Sequence, residues 1–196
     1  MAYDGDFYEA YEAYLHEDLV RTKHNQMFAL WENVAKCRRV IDLGCGQSTE
    51  YFWHATAPAC YQGFDVNEGD RAIAANYRDP AFVETVHALD WKPDAFVSLF
   101  STECTATALE NAELYERLFR EIPTIEYALV AGFYYTRRRT TNPVKEAGDI
   151  VSWQTNSRIE HDSSDVYDEL RITAEVPSTM FGEDVVEVWR ILSRCG

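Results

Sequence analysis

The stretch that most constrains this chain covers residues 40–52, Val-Ile-Asp-Leu-Gly-Cys-Gly-Gln-Ser-Thr-Glu-Tyr-Phe. Val40, Ile41 and Leu43 read as a short buried strand, Gly44-Cys45-Gly46 as a tight turn, and residues 47–53 as the first turns of a helix. A strand that turns through two glycines straight into a helix is the first βα unit of a nucleotide-type site. Glycine at 44 and 46 lets the backbone turn sharply and approach a ligand with no Cβ in the way. Ser48 and the amides at the helix start can receive a polar group.

Two cofactors compete for such a turn. The dinucleotide fingerprint, G-x-G-x-x-G, needs a third glycine where this chain has Thr49. Glu50 in the first helical turn also takes the end of the helix dipole that a pyrophosphate would use. Asp42, just ahead of the turn, instead suits a cofactor that carries an ammonium and a sulfonium, cations that a nearby carboxylate stabilises. With Asp42, Gly44, Gly46 and Ser48 the stretch resembles the first motif of the class I S-adenosylmethionine-dependent methyltransferases, acidic-x-G-x-G-x-G or S. The resemblance implies an α/β fold, a doubly wound and mostly parallel Rossmann-like sheet with an antiparallel C-terminal edge and an N-terminal helical cap. It also implies S-adenosylmethionine as cofactor, with Cys45 inside the binding turn.

The 196 residues suffice for one domain with a full core, divided as a helical cap (1–37), a cofactor-binding core (38–134) and a β-rich tail (135–196). A formal net charge of −15 argues against sequence-independent binding to nucleic acid, whose phosphates are held by clustered Lys and Arg. Five scattered cysteines, with no C-x-x-C pair, read as reduced thiols of a cytoplasmic protein. No apolar run approaches the roughly 18 residues of a membrane span, and the acidic start is unlike a secretory leader. The histidines form no ligand-spaced cluster, so no metal is expected.

Ahead of the motif, Phe7, Tyr8, Tyr11, Tyr14 and Leu15, then Leu19, Val20, Met27, Phe28, Leu30, Trp31 and Val34, recur at spacings of three and four, which predicts two helices. Their aromatics either pack on the core or form a lid in which Tyr8, Tyr11 or Tyr14 touches cofactor or a cationic substrate through a ring face; the resemblance favours a lid. Arg21 and His24 share a helix face near this cap and read as solvated side chains or, alternatively, as groups that bind a carboxylate or serve as a base.

Beyond the motif, residues 60–66 form a second apolar run ending in Asp65 and Val66, about 20 residues past the first glycine, where an acid can accept hydrogen bonds from ribose hydroxyls. Residues 67–76 then read as a helix and residues 82–89 as a third strand. On the resemblance, Asp90 after that strand binds the adenine amino group, flanked by Leu89 and Trp91; alternatively it caps the turn into Pro93. A fourth strand over 95–100 ends in Ser101-Thr102-Glu103-Cys104, which should face the transferred methyl group, since ligands sit outside the carboxyl ends of strands in such sheets. Glu103 is the candidate for orienting or deprotonating a nucleophile. Alternatively, Ser101 or Thr102 caps the following helix and Glu103 lies in its first turn. That helix, 106–120, carries an apolar stripe of Ala108, Leu109, Ala112, Leu114, Leu118 and Phe119, and a fifth strand covers 126–133.

Arg137-Arg138-Arg139 is either a solvated loop or, facing the cleft, a fork for an acidic or phosphorylated acceptor. The tail alternates polar and apolar residues over 166–176, with a partner expected over 150–159 and a last strand over 184–192. The function these features support is methyl transfer to an O, N or C nucleophile of a small molecule. The alternatives are a binding or scaffold protein on the same fold that has lost catalysis, and an NAD-dependent oxidoreductase.

Overall fold

The structure, a computed structural model, describes residues 13–46, 52, 55–67, 72–135, 164–175 and 185–196. Its strands are β1 (Arg39–Leu43), β2 (Cys60–Asp65), β3 (Ala72–Ala74), β4 (Ala95–Leu99), β5 (Tyr127–Tyr135), β6 (Tyr167–Glu175) and β7 (Val185–Arg194). They form one sheet in the order β3-β2-β1-β4-β5-β7-β6. The first five run parallel, and β7 enters antiparallel between β5 and β6. The order reverses between β1 and β4, so a crevice opens at the carboxyl ends of those two strands.

Helix α1 (Asp18–Ala35) covers one face of the sheet. It buries Val20, His24, Phe28, Trp31 and Ala35, a stripe with helical spacing, against Val97, Leu129, Ala131 and Ile191 of the strands. It ends where Lys36 turns left-handed and its amide closes on the Glu32 carbonyl. The other face carries α2 (Phe82–His87) and α4 (Ala108–Glu121), whose Phe82, Val86, Leu114, Tyr115 and Leu118 pack on Ile41, Phe96, Ala128 and Val130. Between β4 and α4 lies the single turn α3 (Thr102–Thr105). Helix α4 opens on a capping box: the Thr107 hydroxyl accepts from the Glu110 amide and the Glu110 carboxylate accepts from the Thr107 amide.

The parallel core, the antiparallel edge and the last three strands follow the sequence pattern, although β6 pairs with β7, while the partner expected over 150–159 lies outside the described residues. Two elements do not. Residues 72–74, expected in a helix, are strand β3, because Ala72, Ile73 and Ala74 pair with Gly63, Phe64 and Asp65 and cover the open edge of β2. Residues 82–87, expected in a strand, are helix α2, because Phe82, Val83 and Val86 share one helical face and Phe82 meets Phe64 edge-on at 4.9 Å. In α4 the buried face turns to Asn111, Leu114, Tyr115, Leu118 and Phe119, leaving Leu109 61% exposed.

Candidate cofactor and acceptor site

The glycine turn sits where the motif places it, at the carboxyl end of β1. Gly44 and Gly46 have φ of 67° and 60°, a left-handed conformation that costs other residues free energy. Gly44 is closed in from a second direction: a Cβ there would lie 1.7 Å from the Ser101 Oγ and 3.3 Å from the Tyr77 ring. Ser98, fully buried on β4, donates its hydroxyl to the Leu43 carbonyl and accepts the Thr102 amide, which ties the ends of β1 and β4 together.

Asp65 stands beside this turn. Its Oδ2 accepts the Gly46 amide at 3.0 Å and its Oδ1 accepts the Asn67 amide at 2.9 Å. The Gly44 and Cys45 amides both donate to the Phe64 carbonyl, so the turn is laced to the end of β2. Val66, next along, exposes 54% of its surface, an apolar platform beside the acid. Asp42 is buried and accepts the Tyr61 hydroxyl at 2.7 Å. Burial pushes its carboxyl up to about 7, with the Tyr61 hydrogen bond opposing and the Asp65 charge adding to the rise. Burial likewise pushes the Cys45 thiol far up, so it is no nucleophile near neutrality. Ser48 lies outside the described residues.

Three other expected site residues are placed elsewhere. Leu89 and Asp90 follow helix α2, which runs back to the amino edge of the parallel strands, opposite the turn. Asp90 is exposed there, and the segment after β3 is instead occupied by Asn76 and Tyr77, the latter bonded to Ser101. Glu103 is buried beneath α4, where Tyr115 donates to it at 2.6 Å and Arg190 Nη2 pairs with it. Arg190 also faces Glu169 at 3.5 Å. This carboxylate completes an ionic cluster on the α4 side of the sheet; it also lies in the first turn of α3, after Ser101 at the N-cap position, as the alternative reading has it, although that helix is the single turn before α4 and, among the described residues, no side chain caps it.

Tyr14 and His24 are the largest departure. Both are buried, and both meet Glu187 of β7, a residue without a sequence signal of its own. The Tyr14 hydroxyl donates to Glu187 Oε1, His24 Nε2 lies 2.9 and 3.0 Å from the two carboxylate oxygens, and Trp189 Nε1 donates at 2.8 Å. The His24 ring stacks on Phe100 at 5.6 Å and meets Trp189 edge-on at 5.0 Å. Phe100 in turn stacks on Phe133 at 4.3 Å. Phe100 holds φ at 57°, a strained conformation for a side chain of this size, one residue before the Ser101 that presses on Gly44. Arg21, in contrast, is exposed as expected. The arginines 137–139 lie outside the described residues, and no helix among the described residues is long and apolar enough to cross a membrane.

The group implied by the motif fits this set. An ammonium matches the buried acid Asp42, ribose hydroxyls match the carboxylate of Asp65, and the turn at Gly44 offers backbone with no Cβ.

No family model and no curated protein matches the sequence. Solved structures do match its fold. The methyltransferase domain of bacterial CtHen1-C superposes with a TM-score of 0.57 at 12% identity, covering 91% of this chain and 100% of that one. The N-methyltransferase NodS from Bradyrhizobium japonicum WM9, in complex with S-adenosyl-l-homocysteine, gives 0.54 at 11% identity over 97% and 100%. The small RNA methyltransferase HEN1 gives 0.50 at 12% identity over 89% of this chain and 25% of that one. The chain has the Rossmann-like fold of the class I S-adenosylmethionine-dependent methyltransferases.

Proposed function

We propose that the protein is an S-adenosylmethionine-dependent methyltransferase of a small-molecule acceptor. The observation that carries this reading is the Asp65 carboxylate beside the Gly44–Gly46 turn at the point where the strand order reverses, with Gly46 N–H on Asp65 Oδ2 at 3.0 Å. In this reading Asp65 receives the ribose hydroxyls, Val66 lies against the adenine, Asp42 balances the ammonium, and Gly44, Cys45, Gly46, Ser48 and Ser101 shape the turn. When bound, S-adenosylmethionine supplies a methyl group on sulfonium, which passes to a nucleophile's lone pair as the carbon–sulfur bond breaks with its electrons on sulfur. The chain's own part is to hold acceptor and methyl in line, a proximity effect worth several kcal/mol. The net charge of −15 favours a small acceptor over nucleic acid, and the five scattered cysteines suit a cytoplasmic protein.

Calorimetric titration with S-adenosylhomocysteine tests the proposal. Wild type is expected to bind at micromolar level and Asp65→Ala roughly tenfold or more weakly, the loss of about 1.4 kcal/mol that follows from hydrogen bonds to a carboxylate. Absence of binding to the wild type returns the chain to the scaffold alternative.

A further inference from the structure

The Cβ that Gly44 lacks leaves a space, and the protein itself fills it. A Cβ there would lie 1.7 Å from Ser101 Oγ, 2.6 Å from Ser101 Cβ and 3.3 Å from the Tyr77 ring, so the Ser101 hydroxyl stands where a side chain of residue 44 would begin. A ligand laid on the first glycine of the turn therefore meets a hydroxyl as well as backbone. That hydroxyl has a neighbour to aim it. The Tyr77 hydroxyl lies 3.2 Å from Ser101 Oγ, and the Tyr77 ring, 7% exposed, belongs to the buried cluster that holds Leu43 and Phe64 at the ends of β1 and β2.

The segment that carries Tyr77 is itself fixed. The Ala75 amide donates to the backbone carbonyl of Asp65 at 2.7 Å. Arg117 of α4 donates to the Tyr77 carbonyl at 2.7 Å and to the Arg78 carbonyl at 3.2 Å. Arg78 reaches Asn111 Oδ1 at 2.7 Å and the Thr102 carbonyl at 3.4 Å. Residues 75–78 thus run from the strand end that bears Asp65, past the glycine turn, to the end of β4. The backbone ahead of Ser101 is set as well, by the left-handed Phe100 and its amide on the Ala131 carbonyl at 2.8 Å. What remains to be decided is the serine's own rotor, which on its own would sample several staggered positions.

We infer that Tyr77 is a positioning residue of the cofactor site: its hydroxyl sets the rotamer of Ser101, whose Oγ is the polar contact the turn offers at Gly44. This rests on the methyltransferase reading for the identity of the ligand. Ser101 touches the cofactor, Tyr77 acts through Ser101, and Arg117 holds Tyr77 in place. A hydroxyl aimed in advance spares binding the entropy of freezing it.

The test is calorimetric titration with S-adenosylhomocysteine of wild type, Tyr77→Phe, Ser101→Ala and the double variant, with the melting temperature of each ligand-free protein measured alongside. Tyr77→Phe keeps the ring against Gly44 and deletes only the hydroxyl. It is expected to weaken binding roughly fivefold at an unchanged melting temperature, and Ser101→Ala to weaken it by as much or more. The double variant is expected to bind no worse than Ser101→Ala, because without the serine hydroxyl Tyr77 has nothing to aim. Unchanged affinity in Tyr77→Phe, or losses that add in the double variant, overturns the assignment. Should the double variant not fold, Tyr77→Phe alone decides, by lost affinity at an unchanged melting temperature. A wild type that binds no S-adenosylhomocysteine removes the methyltransferase reading and this inference with it, whereas equal binding by wild type and Tyr77→Phe removes the inference alone.

Discussion

Gly44 answers two demands with one missing methyl group. Its φ of 67° excludes most side chains, and the Ser101 hydroxyl already fills the volume a Cβ needs. Gly44→Ala is expected to lose S-adenosylhomocysteine binding and lower the melting temperature by several degrees, a cost of about 1–3 kcal/mol, read by calorimetry and thermal denaturation. Asp42 gives a pH signature. Its carboxyl is raised from 3.8 to about 7, so the folded chain keeps a proton that the unfolded chain has lost across that window. This contribution to stability is complete at the acid end and is lost as pH rises toward 7, with a slope of up to roughly 1.4 kcal/mol per unit. Asp42→Asn is expected to flatten that part of the stability profile in chemical denaturation. A cation bound beside Asp42 favours the ionised form, so binding near pH 6 releases a proton in wild type and not in the variant, which calorimetry in two buffers of different ionisation enthalpy detects.

At the level of elements, β7 joins the two faces of the sheet. Glu187 and Trp189 point to α1, and the intervening register sends Arg190 to α4, where it meets Glu103. Arg190→Met leaves Glu103 buried beside Tyr115 without its cation, and the expected loss is about 3–5 kcal/mol in denaturant unfolding. Pairing of Arg190→Met with Glu103→Gln is expected to recover part of it. The sequence made the strands at 40–43, 60–65, 95–99 and 127–135 readable, because each is an apolar run closed by turn residues. It misplaced β3 and α2. Ala72-Ile73-Ala74 has no strand signal until β2 offers it a partner, and the short run at Phe82, Val83 and Val86 fits either period. That error carried Asp90 with it, since an acid assigned to the end of a strand moves to the far edge when the strand becomes a helix.

For the molecule as a whole, the grouping of Asp42, Gly44, Gly46 and Asp65 is legible in the sequence and that of Tyr14, His24 and Glu187 is not. Asp42, Gly44, Gly46 and Asp65 lie in two short segments joined by adjacent parallel strands, so spacing alone brings them near one another. Glu187 meets His24 across 163 positions and Tyr14 across 173, and no local pattern records such a pairing. From the sequence His24 therefore reads as solvated, and Glu187 carries no signal of its own.

That separation has a consequence for how the protein is made. A ribosome finishes α1 long before it reaches β7, so the buried histidine of α1 has no carboxylate to meet for most of synthesis. The sheet is also incomplete until then, because among the described strands β6 pairs only with β7, so β5 stays an open edge and β6 stays unpaired until β7 arrives. A nascent chain halted before residue 185 would carry the whole glycine turn and Asp65, yet the apolar surface that Trp189, Ile191 and Leu192 cover on the two faces would be open. Such a chain exposes apolar surface that holdase chaperones recognise, and the final strand releases it.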